Sequence, residues 1–416
     1  MIIFYIVALL IIVPSIITAW HIYLYCQLEW AKENSKRYSV CPACHRIIRL
    51  TVFQCNCCGQ AYELIPMENE VFYTKCITTT CGKRIPKLPY NGRDDLVALC
   101  PHHHPCFPIG KHPGKYPEVI IPIVGGTSTG KSAFLAAWTV IAQEQLANQY
   151  GVDITFPFIN GPKYANDCVK RFEKGIAPDK TSNRNTIGFG MDIVSRTRQK
   201  GMRLFLYDVA GEAFDPIPDE SESFLAPLGY YDFMDGAIFM IDPFSIPDVQ
   251  KEYPHILVNR YGIQASDKRP EDSCNKFIRG LYKHDLARNE YHYASCAVVI
   301  TKADAVIKKD KENVLDLDSL IGNKAVQKKL HDNPQLSYED ALDEMCSMQL
   351  KEWGLGHMLE LLESHFKEVR YFSMSALGHS KTGVPFTPQR VELPILWLLN
   401  KNKKKSKVLT SKYKTR

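Results

Sequence analysis

The chain has 416 residues, is 45% hydrophobic and carries a formal net charge of +6. That length and apolar content exclude a chain too polar to bury a core, and leave room for one large domain with smaller modules. The charge excludes a basic body: residues 401–416 hold eight Lys and Arg and no acid, so the remainder stands at −2 (+6 less 8), and ten of the fourteen cysteines lie before residue 107.

The first stretch is apolar. Residues 2–25 contain no Asp, Glu, Lys or Arg, and about 20 such residues suffice to span a bilayer as a helix. Trp20, Tyr23, Tyr25 and Trp30 could form an interfacial belt, Pro14 and His21 interrupt the run, and Lys32, Lys36 and Arg37 follow it with no basic residue before it. That asymmetry predicts an uncleaved transmembrane anchor over residues 1–30 with the downstream chain cytoplasmic. A cleaved signal peptide would need a basic leader and a small-residue cleavage site, and neither is evident.

Residues 38–110 read as a zinc-ribbon-like module with two candidate zinc sites. Cys41-Pro-Ala-Cys44 and Cys55-Asn-Cys57-Cys58-Gly59 supply two CxxC pairs, each a tight turn that presents two thiolates to one ion. Cys41, Cys44, Cys55 and Cys58 are therefore predicted to share a zinc, with Cys57 able to replace Cys55 or Cys58. Cys76, Cys81 and the run Cys100-Pro-His102-His103-His104-Pro-Cys106 predict a second site of Cys76, Cys81, Cys100 and His103, for which Cys106, His102 or His104 could substitute. Both would be closed, four-ligand structural sites. Disulfides are disfavoured by the reducing compartment in which a nucleotide enzyme works. The Pro-, Gly- and Lys-containing run from Pro105 to Pro117 reads as a linker.

The next stretch carries the strongest signal. Gly125-Gly126-Thr127-Ser128-Thr129-Gly130-Lys131-Ser132 reads G-x-x-x-x-G-K-S. It follows the apolar run Glu118–Val124 and leads into a helical pattern with Phe134, Leu135, Trp138, Ile141 and Ala142 on one face. Strand, Gly-rich loop and helix make a P-loop: backbone N–H groups cradle phosphate, and the helix N-terminus adds partial positive charge. Lys131 would reach the β- and γ-phosphates, Ser132 would hold Mg²⁺, and Ala133 would follow at the mouth of the helix.

Farther on, residues 151–185 read as loop with one short helix around Ala165–Lys174. Thr186-Ile-Gly-Phe-Gly-Met-Asp begins a strand, and Met202–Asp208 forms the next, ending in Asp208-Val-Ala-Gly211-Glu212. An acid at the tip of an apolar strand is where a P-loop protein keeps its Mg²⁺ carboxylate, and the N–H of Gly211 could approach a γ-phosphate. Strands follow at Gly236–Ile241, ending in Asp242, and at Ala294–Ile300, ending in Thr301-Lys302-Ala303-Asp304. A long charged insert, residues 244–290, separates them. The last strand ends in Ser375-Ala376-Leu377. Strands alternating with helices predict an α/β domain over residues 115–400, with a mostly parallel sheet flanked by helices and ligands at the strands' C-terminal ends.

Four motifs in this order, GGTSTGKS, DVAG, TKAD and SAL, make residues 118–400 resemble the small-GTPase-like, translation-factor-related class of P-loop GTPases. The resemblance implies GTP/GDP and Mg²⁺ as ligands. By it, Asp304 would accept two hydrogen bonds from guanine, Lys302 would pack along the base beside Thr301, and Ser375, Ala376 and Leu377 would meet its carbonyl oxygen. A Mg²⁺-binding Thr in a mobile loop would be Thr186, with Thr181 in reserve, so that Ser132, Thr186 and Asp208 hold the ion. Lys131, Thr186, Gly211 and Glu212 would form the hydrolytic apparatus, although the class usually has Gln where this chain has Glu212, which implies slow hydrolysis or water positioned otherwise. Arg184 could act as an internal arginine finger; an exposed loop arginine is the plainer reading.

Residues 388–399 resemble the closing helix of the bacterial double-GTPase families. That implies a bacterial inner-membrane setting, a conflict or defence role, and a protein partner that is a second GTPase or another copy of the chain. The basic tail, residues 401–416, could meet anionic lipid or nucleic acid, or simply be solvated. A P-loop ATPase or kinase, and a scaffold that binds GTP and scarcely hydrolyses it, are the competing expectations.

Overall fold

The computed structural model describes residues 2–41, 46–68, 70–102, 107–110, 112, 114–157, 161–178, 189–197, 200–208, 231, 233–252, 266, 268–285, 294–304, 320–379 and 383–406. They divide into two units, one formed chiefly by residues before Tyr116 and a larger one by Tyr116–Phe156 and Asn160–Arg416.

The smaller unit starts with a 34-residue helix, α1 (Ile2–Ser35). Eight strands of three or four residues follow: β1 (Tyr38–Val40), β2 (Ile47–Arg49), β3 (Val52–Gln54), β4 (Ala61–Glu63), β5 (Tyr73–Lys75), β6 (Arg84–Pro86), β7 (Val97–Cys100) and β8 (Phe107–Gly110). They form two separate hairpins, β1–β2 and β5–β6, and a four-stranded sheet in the order β4-β3-β7-β8. Ile48, Leu50, Phe53, Leu64, Leu88, Ala98 and Ile109 are buried and make a small core.

The predicted transmembrane anchor needs correction. Among the described residues, no helix is long and apolar enough to cross a membrane. The apolar stretch does wind into α1, but the helix runs on through Glu29, Lys32 and Glu33. Its last turns bury Leu28 and Ala31. Trp30, expected in an interfacial belt, lies 5.4 Å from the Tyr90 ring instead. This end of the helix thus meets the turn that carries Tyr90.

In the larger unit the expected strand before the P-loop is β9 (Glu118–Val124), followed by α2 (Lys131–Ile141). A π-type turn at Ala142–Leu146 carries α2 into a last turn, α3 (Ala147–Tyr150). Then come β10 (Val152–Thr155), α4 (Gly161–Glu173), β11 (Phe189–Ser195), β12 (Gly201–Asp208), β13 (Gly236–Ile241), α5 (Pro247–Glu252), α6 (Pro270–Asp285) and β14 (Ser295–Ile300). The described elements close with α7 (Asn323–Asp332), α8 (Tyr338–Glu352), α9 (Gly356–His365), β15 (Glu368–Ser373) and α10 (Glu392–Lys401). The seven-stranded sheet runs β10-β11-β12-β9-β13-β14-β15. From β12 to β15 every pairing is parallel, while β10 and β11 add an antiparallel edge. The sheet is therefore mixed, and β10 is a strand in a segment whose sequence read as loop.

β9, β13 and β14 are continuous apolar runs because both faces of the sheet are covered; nearly every residue in them is buried. Pro122 interrupts the donors of β9, and β9 meets β13 only at Ile123 and Val124. Asp235 substitutes for the missing ladder, accepting from Ile120 N at 3.0 Å and donating its own N–H to Ile120 O at 2.8 Å. At the antiparallel edge, Arg203 of β12 lies opposite Asp192 of β11, and the guanidinium grips both carboxylate oxygens at 2.6 and 2.8 Å with both residues buried. Part of the basic tail is also engaged in this unit. Lys401 pairs with Glu368 at 2.6 Å and Lys405 with Asp235 at 2.8 Å.

Candidate functional site

The segment expected to be a P-loop, Gly125–Ser132, sits where β9 ends. Gly130 has φ +96° at the N-cap of α2 and Ser128 has φ +62°, so the loop uses left-handed backbone at two points. Gly125 is required by close approach: a Cβ there would stand 2.8 Å from Met240 O of β13. The Lys131 ammonium is folded back on its own loop and donates to Gly125 O at 2.9 Å and Gly126 O at 2.8 Å, while Thr129 Oγ1 donates to Gly126 O at 2.9 Å. Thr127, Ser132 and Ala133 are half-buried around it. The loop's own carbonyls thus hold the lysine.

The neighbouring strand ends bring the other motifs into one row. Asp208 is the last residue of β12, in parallel register with Ile123, two residues before Gly125. On the other side, Thr301 N donates to Ile241 O at 2.9 Å, and Ala303 N donates to Met374 O at 3.1 Å. Ser375 is buried and its Oγ accepts from Gly378 N at 2.7 Å; a backbone bridge to Gln389 holds the turn. Ala376 is buried, Leu377 half-buried, and Leu377 O accepts from Thr387 N at 2.9 Å. Asp304 is half-buried at the rim. The row therefore runs from Asp208 through the P-loop to TKAD and SAL, along one edge of the sheet. Thr186, Gly211 and Glu212, with Thr181 and Arg184, lie outside the described residues.

Asp242, Ser266, Lys268 and Ser273, which the sequence left without a role, complete this edge. Lys302 has φ +56°, and its Nζ lies 2.7 Å from Oδ2 of the fully buried Asp242. The segment read as a charged insert reaches the P-loop: a Cβ on Gly126 would stand 2.6 Å from Ser266 Oγ, 3.1 Å from Lys268 Cβ and 3.5 Å from Ser273 Oγ. One signal was available for Asp242, an acid closing an apolar parallel strand at the edge where α/β sheets bind ligands. Nothing in the spacing pointed to Ser266, Lys268 or Ser273, since their approach depends on how the insert folds back.

The smaller unit holds a second cluster. Cys55 and Cys58 come from the turn after β3, where Gly59 has φ +76° and Cys55 N bonds to Gln60 O. Cys76 and Cys81 come from the turn between β5 and β6, closed by Cys76 N to Lys83 O at 2.8 Å. The four Sγ atoms lie within 4.8 Å of one another, a set that could hold a metal ion such as zinc. Cys58 and Cys76 are 3.5 Å apart, Cys55 and Cys81 3.8 Å. The Tyr62 hydroxyl lies 2.9 Å from Cys76 Sγ and, as the first of several causes, holds that thiol down at about 6.

The structure thus joins one pair from each predicted zinc set. Among the described residues, Cys55 and Cys58 meet Cys76 and Cys81 and not Cys41, and Cys100 is not part of this cluster. Cys41 and Cys100 are both buried, while Cys44 and His103 lie outside the described residues. Sequence spacing identifies each two-cysteine turn but not which turns face each other. No protein-family model matches the sequence, and no curated protein matches it.

Proposed function

We propose that the larger unit binds a guanine nucleotide with Mg²⁺ and hydrolyses GTP slowly, as a switch of the small-GTPase-like class. The observation that carries this reading is the continuous row of Asp208, P-loop, Thr301–Asp304 and Ser375–Leu377 along the C-terminal edge of the parallel strands. Phosphate would be met by the backbone of Gly125–Ser132 and by Lys131, released from Gly125 O and Gly126 O. Ser132 and Asp208, with Thr186, would hold Mg²⁺, whose charge would offset that of the phosphates. Asp304 is the guanine-selective acceptor, and the turn Ser375–Leu377 closes the base pocket. Glu212 in place of the usual Gln makes slow turnover the expectation.

In the smaller unit, zinc is the ion proposed for Cys55, Cys58, Cys76 and Cys81, since four thiolates from two tight turns make a closed structural site. That unit would serve as the protein-docking part, with a second GTPase or another copy of this chain as partner.

The test uses the full chain with Mg²⁺ and fluorescent GTP or ATP in parallel, followed by phosphate release. Tight GTP binding that Asp304→Ala abolishes, with slow phosphate release, is the expected result. GTP binding with no release in a single turnover would favour a nucleotide-gated scaffold. ATP binding as tight as GTP binding would overturn the guanine assignment.

A further inference from the structure

We infer that Asp242 is a positioning residue of the nucleotide site, tying the base-reading loop to the wall of the phosphate loop. The inference rests on the nucleotide-binding reading above and deepens it. Asp242 closes β13, the strand between β9, which carries the P-loop, and β14, which carries TKAD. It is fully buried.

The two carboxylate oxygens have separate work. Oδ1 accepts from Phe244 N at 3.0 Å, a local cap of the short helical turn that follows. Oδ2 accepts from Lys302 Nζ at 2.7 Å and from Ser266 N at 2.8 Å, partners 60 and 24 residues away. A local cap needs only the first oxygen; the second joins two distant segments, both belonging to the site.

On one side, the ion pair engages Lys302, whose backbone is left-handed at φ +56°, a conformation uncommon for side-chain-bearing residues. The Lys302 side chain remains 20% exposed while its ammonium is engaged, so its stem is held in place with the charge anchored behind it. On the other side, Ser266 is fixed by the same oxygen. Its Oγ lies 3.3 Å from both Lys268 N and Lys268 O. Ser266 and Lys268 then stand against Gly126 with Ser273, as the Cβ distances above record. One carboxylate therefore sets both the base-side lysine and the segment lying on the phosphate loop.

The experiment is a double-mutant cycle on the full chain with Asp242→Asn, Lys302→Met and the double variant, reading affinity for fluorescent GTP and ATP with Mg²⁺. Each single substitution is expected to weaken the preferred nucleotide about tenfold, as loss of a charge-assisted contact does. The double variant is expected to bind no worse than Lys302→Met alone, because the two act as one unit. Circular dichroism checks that each variant is folded. Asp242→Ser, which keeps the cap on Phe244 but gives up the reach to Lys302, carries the same expectation if Asp242→Asn does not fold.

Losses that multiply in the double variant, or Asp242 variants that bind as wild type does, would overturn the inference. The cycle is run with whichever nucleotide the wild-type chain binds more tightly. A preference for ATP would thus defeat the guanine reading while leaving the coupling to be decided by the cycle, and a chain that binds neither nucleotide would defeat both.

Discussion

The two units of this chain set the shape of their candidate loops by opposite means. In the α/β unit the P-loop grows from β9, a central strand buried along almost its whole length, and the surrounding parallel strands hold the motif-bearing ends in one row. In the cysteine unit the strands are three or four residues long, too short to fix their turns by sheet burial alone. Its turns at Cys55–Gly59 and Cys76–Cys81 face each other through four sulfurs. Small units with little core commonly depend on a metal in this way. A loop can thus be shaped by the core beneath it or by the close approach of its own side chains to those of another turn.

The largest expected effect separates the units directly. Chelation of metal from the full chain, or Cys55→Ser with Cys81→Ser, should open residues 46–115 to proteolysis while the unfolding transition of the α/β unit stays where it was. Structural zinc contributes roughly 10–16 kcal/mol at neutral pH, so a metal-free chain that keeps both transitions would break the comparison. The sign of the pH dependence follows from the ligands, which must be thiolates to bind a metal ion, so metal content measured after dialysis should fall as the medium is acidified.

Next in size is Arg203→Ala, which leaves Asp192 buried without its cation. Removing one partner of a buried pair costs about 3–5 kcal/mol, read in urea as a lower midpoint for the α/β unit only. Replacing both residues with Leu should cost less, because no orphaned charge remains. A smaller loss, about 1–3 kcal/mol from overpacking, is expected for Gly126→Ala, whose new methyl would meet Ser266 Oγ and Lys268 Cβ. Nucleotide affinity should drop with it, because the insert lies against the loop at Gly126.

The smallest effect is a gain. Burial raises the carboxyl pKa of Glu392 above its ordinary value of 4.5. Its favourable contribution is complete at pH below that ordinary value and is lost as pH rises through the raised one. Glu392→Gln should therefore lift the thermal midpoint at pH 7, with the difference closing as pH falls toward 4.5.

Much of the candidate site was legible because its signals are local. GGTSTGKS between an apolar run and a helical pattern, and Asp208 and Thr301–Asp304 at the ends of apolar strands, need only neighbouring residues to be read. The failures are equally particular. Residues 2–25 are uncharged and helical, but the helix continues into Glu29–Ser35, and Leu28 and Ala31 are buried. β10 escaped notice because an edge strand of four residues needs only one buried anchor, Val152.

The sequence by itself determined the strand–loop–helix of the P-loop, the order of the motif-bearing strands and the two-cysteine turns, because each depends on periodicity or spacing within a few residues. Only the tertiary structure decided that Cys55 and Cys58 face Cys76 and Cys81, that β11 runs antiparallel beside Arg203, and that Asp242 joins Lys302 to Ser266. Those pairings are contacts between distant segments, and their energies arise from burial, charge and thiol proximity that exist only once the chain has brought the partners together.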